Sequence, residues 1–135
     1  MAQATVAFRF YLFRALELCG WYDKTDELWE IWRQMVRDNL STCAESDTQP
    51  RSDCHAWASL ICYELPAVVL GVRPAAPGYA KVQIEPNMCH FTQAQGHVIT
   101  PKGTIRVSWV RSAEGLCNLQ YSLPQGMELS TTDAL

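Results

Sequence analysis

Apolar residues recur at helical spacing through roughly the first seventy positions and at every second position after that. Residues 4–19 predict a first helix, with Phe8, Leu12, Ala15, Leu16 and Cys19 in register. Phe10 and Phe13 fall on its other faces, so this helix is apolar nearly all round and is expected to be mostly buried. Gly20 predicts a left-handed cap. Thr25 reads as the N-cap of a second helix, with Asp26 and Glu27 in its electropositive first turn. Leu28, Ile31, Trp32, Met35 and Val36 form its apolar stripe, and Asp38-Asn39 ends it. The two make a helical hairpin. Residues 40–52 are polar, aperiodic and contain Pro50, which predicts a long loop. A third helix is expected over 54–64, stopping near Pro66 because proline has no amide proton to donate, with a continuation to Leu70 left open.

From Gly71 to Lys81 the chain is rich in Pro and Gly and predicts a turn-filled linker. Beyond it the period is two. Ala80, Val82 and Ile84 alternate with polar neighbours, as do Ile105, Val107 and Trp109, and again Cys117, Leu119, Tyr121 and Leu123. Each set predicts a half-buried strand, and Ser112 to Gly115 predicts a hairpin turn between two of them. The expected class is α+β: helices first, then an antiparallel β-sandwich, with the change between Leu65 and Tyr79.

Composition narrows the function classes. With 48% apolar and 19% charged residues, the chain is globular rather than disordered. A net charge of -3 supplies no basic field for nucleic acid or anionic lipid. No apolar run approaches the ~20 residues of a membrane span, and Arg9 and Arg14 interrupt the one stretch that could serve as a signal peptide. The six cysteines form no CxxC pair, and most fall in predicted helices or strands. They are expected to be free buried thiols, which favours a reducing, cytoplasmic setting. Cys54-His55 and Cys89-His90 lack the paired spacing of a zinc site, so no metal and no cofactor is expected.

Chemistry concentrates between Ser41 and Trp57. Glu45, Asp47, Arg51, Asp53, His55 and Trp57 bring carboxylate, guanidinium, imidazole and indole to one loop and one helix start. These groups bind and cleave sugars: carboxylates do acid and base work, and aromatic faces stack on pyranose rings. The same residues also read as a solvated loop with Asp53 capping a helix and Trp57 in the core. The Trp29 and Trp32 pair reads as core.

The ordered motifs Arg51-Ser52-Asp53-Cys54-His55-Ala56-Trp57, Val69-Leu70-Gly71-Val72-Arg73-Pro74, Pro77-Gly78-Tyr79 and Leu123-Pro124-Gln125-Gly126 resemble those of bacterial-type α-L-rhamnosidases, glycoside hydrolase family 78. The resemblance implies that residues 1–70 are the last hairpins of an (α/α)6 six-hairpin catalytic domain and 71–135 a C-terminal β-sandwich. It implies inverting hydrolysis of terminal α-L-rhamnosides, with Glu45 as general base, His55 contacting the sugar and Trp57 stacking on it or supporting the motif. The family often carries an aromatic before the glutamate, where Cys43-Ala44 stand here. In the family the general acid lies in an upstream segment that these residues do not include; Asp47, Asp53 or Glu64 could stand in, but nothing recommends them. The chain is therefore expected to be an incomplete enzyme, inactive alone, whose partner is a rhamnose-containing carbohydrate. It is also expected to be able to self-associate through an exposed helical face. The alternative is a non-catalytic carbohydrate-binding or scaffold module.

Overall fold

The structure is a computed structural model that describes residues 4–46 and 48–130. The chain divides into two compact units, one ending at Tyr63 and the other beginning at Glu64.

In the first unit, helix α1 (Arg9–Leu18) and helix α2 (Glu30–Arg37) are joined by a 3-10 segment, Tyr22–Trp29. Gly20 closes α1 as expected: its φ is +70°, and Trp21 N donates to Leu16 O at 2.8 Å. Asn39 does the same for α2 at φ +56°, with Leu40 N donating to Met35 O at 2.9 Å.

The hairpin is built on an aromatic cluster. Phe13 is fully buried, with ring centroids 5.9 Å from Tyr22, 5.7 Å from Trp29 and 6.2 Å from Trp32. Such tilted and edge-on pairs add ~0.5–1.5 kcal/mol each beyond the area they bury. Trp29 and Trp32 are core, and each indole has an acceptor: Thr25 Oγ1 at 3.0 Å and Ala58 O at 2.8 Å.

Three expectations for this unit are corrected. Thr25 does not cap a helix; it is buried within the 3-10 segment, where its hydroxyl donates to Tyr22 O and accepts from Trp29. The buried face of α1 is not the Phe8-Leu12-Ala15 stripe but Arg9 and Phe13. A helix that is apolar all round has no period to choose its face. Here the choice falls to Phe13 in the aromatic cluster and to Arg9, whose Nη1 donates to Leu28 O at 2.9 Å and whose guanidinium lies 5.9 Å from the Trp32 ring. Phe8, Tyr11 and Leu18 are exposed. The third helix is a 3-10 turn (Ala56–Ala58) and a short helix α3 (Ile61–Glu64), and Pro66 does not end it. The helical run continues as a π turn, Leu65–Val69, closed by Leu70 N donating to Leu65 O at 2.9 Å. Pro66 sits in the first turn, where the missing amide proton costs little.

Among the described residues, the second unit holds six strands in two sheets. One sheet has the order β1 (Val72–Pro74), β2 (Lys81–Ile84), β6 (Glu128–Leu129); the other runs β3 (Gln93–Thr100), β4 (Gly103–Arg111), β5 (Cys117–Ser122). All pairs are antiparallel except the short β2–β6 pair. The expected linker thus conceals strand β1. Its entry needs Gly71: φ is +74°, and a Cβ there would fall 2.1 Å from the Glu85 backbone carbon.

Ile105, Val107 and Trp109 are buried as the alternation predicts, together with Val82, Ile84, Val72 and the Val68–Leu70 turn. The Cys117 to Leu123 set is only partly so. Cys117 and Tyr121 are exposed and Leu119 and Leu123 half-buried, as β5 is one of the two edge strands of its sheet. Strand β3 carries no clear alternation of apolar residues. Its Gly96 leaves room for Leu70, whose Cδ1 would lie 2.6 Å from an added Cβ.

Trp109 anchors this core, 1% exposed, with its Nε1 donating to Val69 O at 2.9 Å. Trp109→Ala is expected to cost about 3–5 kcal/mol. Trp109→Phe keeps most of the packing but strips the carbonyl of its donor, at about 1–3 kcal/mol. Urea unfolding of the two variants measures both; an unchanged midpoint for Trp109→Ala would contradict the assignment.

Candidate functional site

The stretch expected to be a free loop is pinned at its base. Segments 42–45 and 52–55 run alongside one another: Glu45 N donates to Ser52 O at 2.9 Å, His55 N donates to Cys43 O at 2.7 Å, and Thr42 Oγ1 donates to Asp53 O. Ala44, between them, is 3% exposed and anchors the loop at the position next to the glutamate. The pairing brings Glu45 beside the His55 segment although ten positions separate them in sequence.

Glu45, His55 and Trp57 line one open cleft of about 720 Å³, together with Arg51, Phe8 and Arg9. His55 and Trp57 meet edge to face, with ring centroids 5.5 Å apart and planes at 82°. Trp57 is 77% exposed, so it is not a core residue, and its face is open to a ligand. It also lines a neighbouring cleft of about 480 Å³ with Phe8 and Tyr11. Asp53 does not cap the turn that follows; His55 holds the capping position without a side-chain bond.

Arg51, one of the candidate groups of this stretch, takes a role that its sequence position does not foretell. Its guanidinium grips both oxygens of Glu45: Nε donates to Oε2 at 3.0 Å and Nη2 to Oε1. This hydrogen bond is the main cause holding the Glu45 carboxyl below the ordinary glutamate range. Slight burial opposes it, and the charges of Arg51 and His55 add to it. Its candidacy alone was visible, since Arg51 opens the motif that contains His55 and Trp57.

Among the described residues, Glu45 is the only carboxylate lining the cleft. Asp53 is exposed and outside the lining, Glu64 is fully buried, and Asp47 lies outside the described residues. The six cysteines stand outside any disulfide, but none is buried: Cys19, Cys54, Cys62 and Cys117 are exposed, and Cys43 and Cys89 half-buried. Cys62 in α3 and Cys117 in β5 fall on the solvent side of their elements, which the apolar character of a thiol does not foretell. Among the described residues no three His, Cys, Asp or Glu side chains gather as metal ligands. No helix among them is long and apolar enough to cross a membrane.

A helical unit carrying a carboxylate, imidazole and indole cleft, followed by a small β unit, has close counterparts among glycoside hydrolases. The chain is 31% identical to the GH78 family rhamnosidase of Bacillus sp. GL1, with a TM-score of 0.74 over 93% of this chain and 16% of that one. It shares the fold of the α-L-rhamnosidase from Dictyoglumus thermophilum at 21% identity and TM-score 0.74, over 92% of this chain and 15% of that one. It shares the fold of the Streptomyces avermitilis α-L-rhamnosidase, solved with L-rhamnose, at 18% identity and TM-score 0.69, over 87% of this chain and 13% of that one. A search of curated proteins finds no match. Residues 71–131 match the bacterial alpha-L-rhamnosidase C-terminal domain. The chain is similar to the C-terminal part of GH78 α-L-rhamnosidases and spans about one-sixth of the length of the first two.

The Arg51 contact makes a direct prediction. Arg51→Gln should raise the Glu45 carboxyl pKa toward the ordinary glutamate range, read by carboxyl-carbon NMR during a pH titration. In the wild type, high salt should move it the same way, because the pair is exposed and screened. An unchanged Glu45 titration in the variant would show that Arg51 does not hold it.

Proposed function

We propose that this chain carries the general-base side of an inverting α-L-rhamnosidase site, with Glu45 as base, His55 as a sugar contact and Trp57 as a stacking face. The observation that supports this is the convergence of all three on one cleft in a chain that matches the C-terminal part of rhamnosidases. In such a reaction Glu45 takes a proton from the water that attacks the anomeric carbon. A second carboxyl, about 6.5–9.5 Å away across that water, protonates the leaving oxygen. The low Glu45 pKa keeps the group ionised and ready to accept, and the exposed Arg51 side chain is free to swing aside as a sugar enters. On this reading residues 1–70 are the end of a six-hairpin catalytic domain, and the two sheets of 71–135 its C-terminal β-sandwich.

Because Glu45 is the only carboxylate of the cleft among the described residues, the 135-residue chain should not hydrolyse an aryl α-L-rhamnoside above the buffer rate. Acid assistance alone is worth ~10²–10⁴-fold. Turnover by the wild type, abolished in Glu45→Gln, would mean that this sequence holds its own acid. Binding tests the site separately. L-rhamnose should perturb the NMR signals of Glu45, His55 and Trp57, and His55→Ala or Trp57→Ala should weaken that response. Rhamnose that leaves all three unmoved would remove the basis for the assignment.

A non-catalytic, rhamnose-binding role for the chain alone draws on the same feature, one carboxylate held by Arg51, and predicts rhamnose binding without turnover. The exposed Phe8, Tyr11 and Leu18 on α1 also offer an apolar face for self-association, which sedimentation across a dilution series would report.

A further inference from the structure

The outward face of the β3-β4-β5 sheet presents an unusual set of side chains. On it, His97, Arg106 and Ser122 stand in one cross-strand row, and Gln95, Ser108 and Gln120 in the next. They line an open hollow of about 590 Å³ on the face opposite the buried Ile105, Val107 and Trp109. Among the described residues, none of these six side chains has a hydrogen-bond or ion-pair partner. From strand spacing of ~4.8 Å and a rise of ~3.4 Å per residue, the two rows of three cover roughly 10 by 7 Å, the footprint of one sugar ring.

Charge adds a second constraint. Strands β3, β4 and β5 contain no Asp or Glu, although the chain has 14 of them. Among the described residues that line the hollow there is one permanent cation, Arg106, and no carboxylate. Its other groups are amides, hydroxyls and an imidazole, which pair with sugar hydroxyls as donors and acceptors alike. Ile99, 78% exposed, and Val110, 51% exposed, lie at opposite ends of the same face and offer apolar contact to ring C–H groups.

We propose that this sheet face is a second carbohydrate site, separate from the Glu45 cleft, which binds a uronate residue of a glycan. Arg106 pairs with the sugar carboxylate through its planar fork, and the Gln, Ser and His side chains take the ring hydroxyls. A neutral sugar would leave the guanidinium without its counter-charge, and a bare carboxylate would leave the amides and hydroxyls unused.

The test is an NMR titration of the full isotope-labelled chain with D-galacturonate and D-glucuronate, with galactose, glucose and acetate as controls. Uronate should shift the amides of 95–97, 106–108 and 120–122, with neutral sugars and acetate at least about tenfold weaker. Arg106→Gln should weaken uronate binding by about tenfold or more, and Arg106→Lys by less, since it keeps the charge and loses the fork. The position is exposed, so both variants should keep the wild-type amide pattern elsewhere. Glu45→Gln should leave uronate binding unchanged, which separates failure of this site from failure of the rhamnose cleft. Equal response to uronate and neutral sugar, acetate matching uronate, or no response to uronate would each overturn the proposal.

Discussion

Two backbone hydrogen bonds, Glu45 N to Ser52 O and His55 N to Cys43 O, close the polar loop onto itself, and the chemistry of the first unit depends on them. A loop of this composition has no apolar period and little to bury, so its conformational entropy would otherwise scatter its side chains. The pairing, with Ala44 packed beneath it, fixes where Glu45 stands relative to the His55 imidazole and the Trp57 indole. Catalytic and binding groups act only when held near productive geometry. Here backbone donors and acceptors hold them, not a dense side-chain network.

The electrostatics of the cleft carry a tension. A general base gains from a pKa near the working pH, whereas the Arg51 fork lowers that of Glu45 and occupies both of its oxygens. The two are compatible if the fork is a resting arrangement. Arg51 is 86% exposed and Glu45 21%, so the arginine pays little to exchange its partner for water, while the glutamate stays in place. Exposed pairs of this kind contribute little to stability, and a sugar hydroxyl or ordered water can take over an oxygen that Arg51 releases.

Legibility in the sequence followed how strongly each residue's role is dictated locally. Gly20 as a cap, the Asp38-Asn39 stop, the alternation of Ile105, Val107 and Trp109, and the turn at Ser112 to Gly115 are all local and all visible. The buried face of α1 was not, because a helix apolar on every side leaves the choice to Phe13 and its distant aromatic partners. Pro66 misled because a π turn tolerates proline at its start. Strand β1 hid among prolines, because its place is set by Gly71 passing against the Glu85 backbone, a contact between residues 14 positions apart. In the cleft, motif resemblance found Glu45, His55 and Trp57. Arg51 was visible as a candidate, but its grip on Glu45 was not, because an arginine in a polar loop carries no pattern until its partner is located.

The cleft and the sheet face show two ways of presenting polar groups, with different consequences. In the cleft, backbone pairing lends position to side chains on an irregular loop, and the groups can shift as a ligand enters. On the sheet, the pleat itself spaces the side chains, and the anchored Trp109 row behind it keeps the platform from bending. A pleated surface cannot close around a ligand, so affinity there must come from matching many weak contacts at fixed spacing. This favours recognition of a repeated chemical unit over catalysis on a single bond. A pinned loop that brings one carboxylate, an imidazole and an indole to a single cleft suits the opposite, since a reacting centre needs its groups converged on one point. The division of labour follows from backbone geometry before any side chain is considered, and the side chains found in each place agree with it.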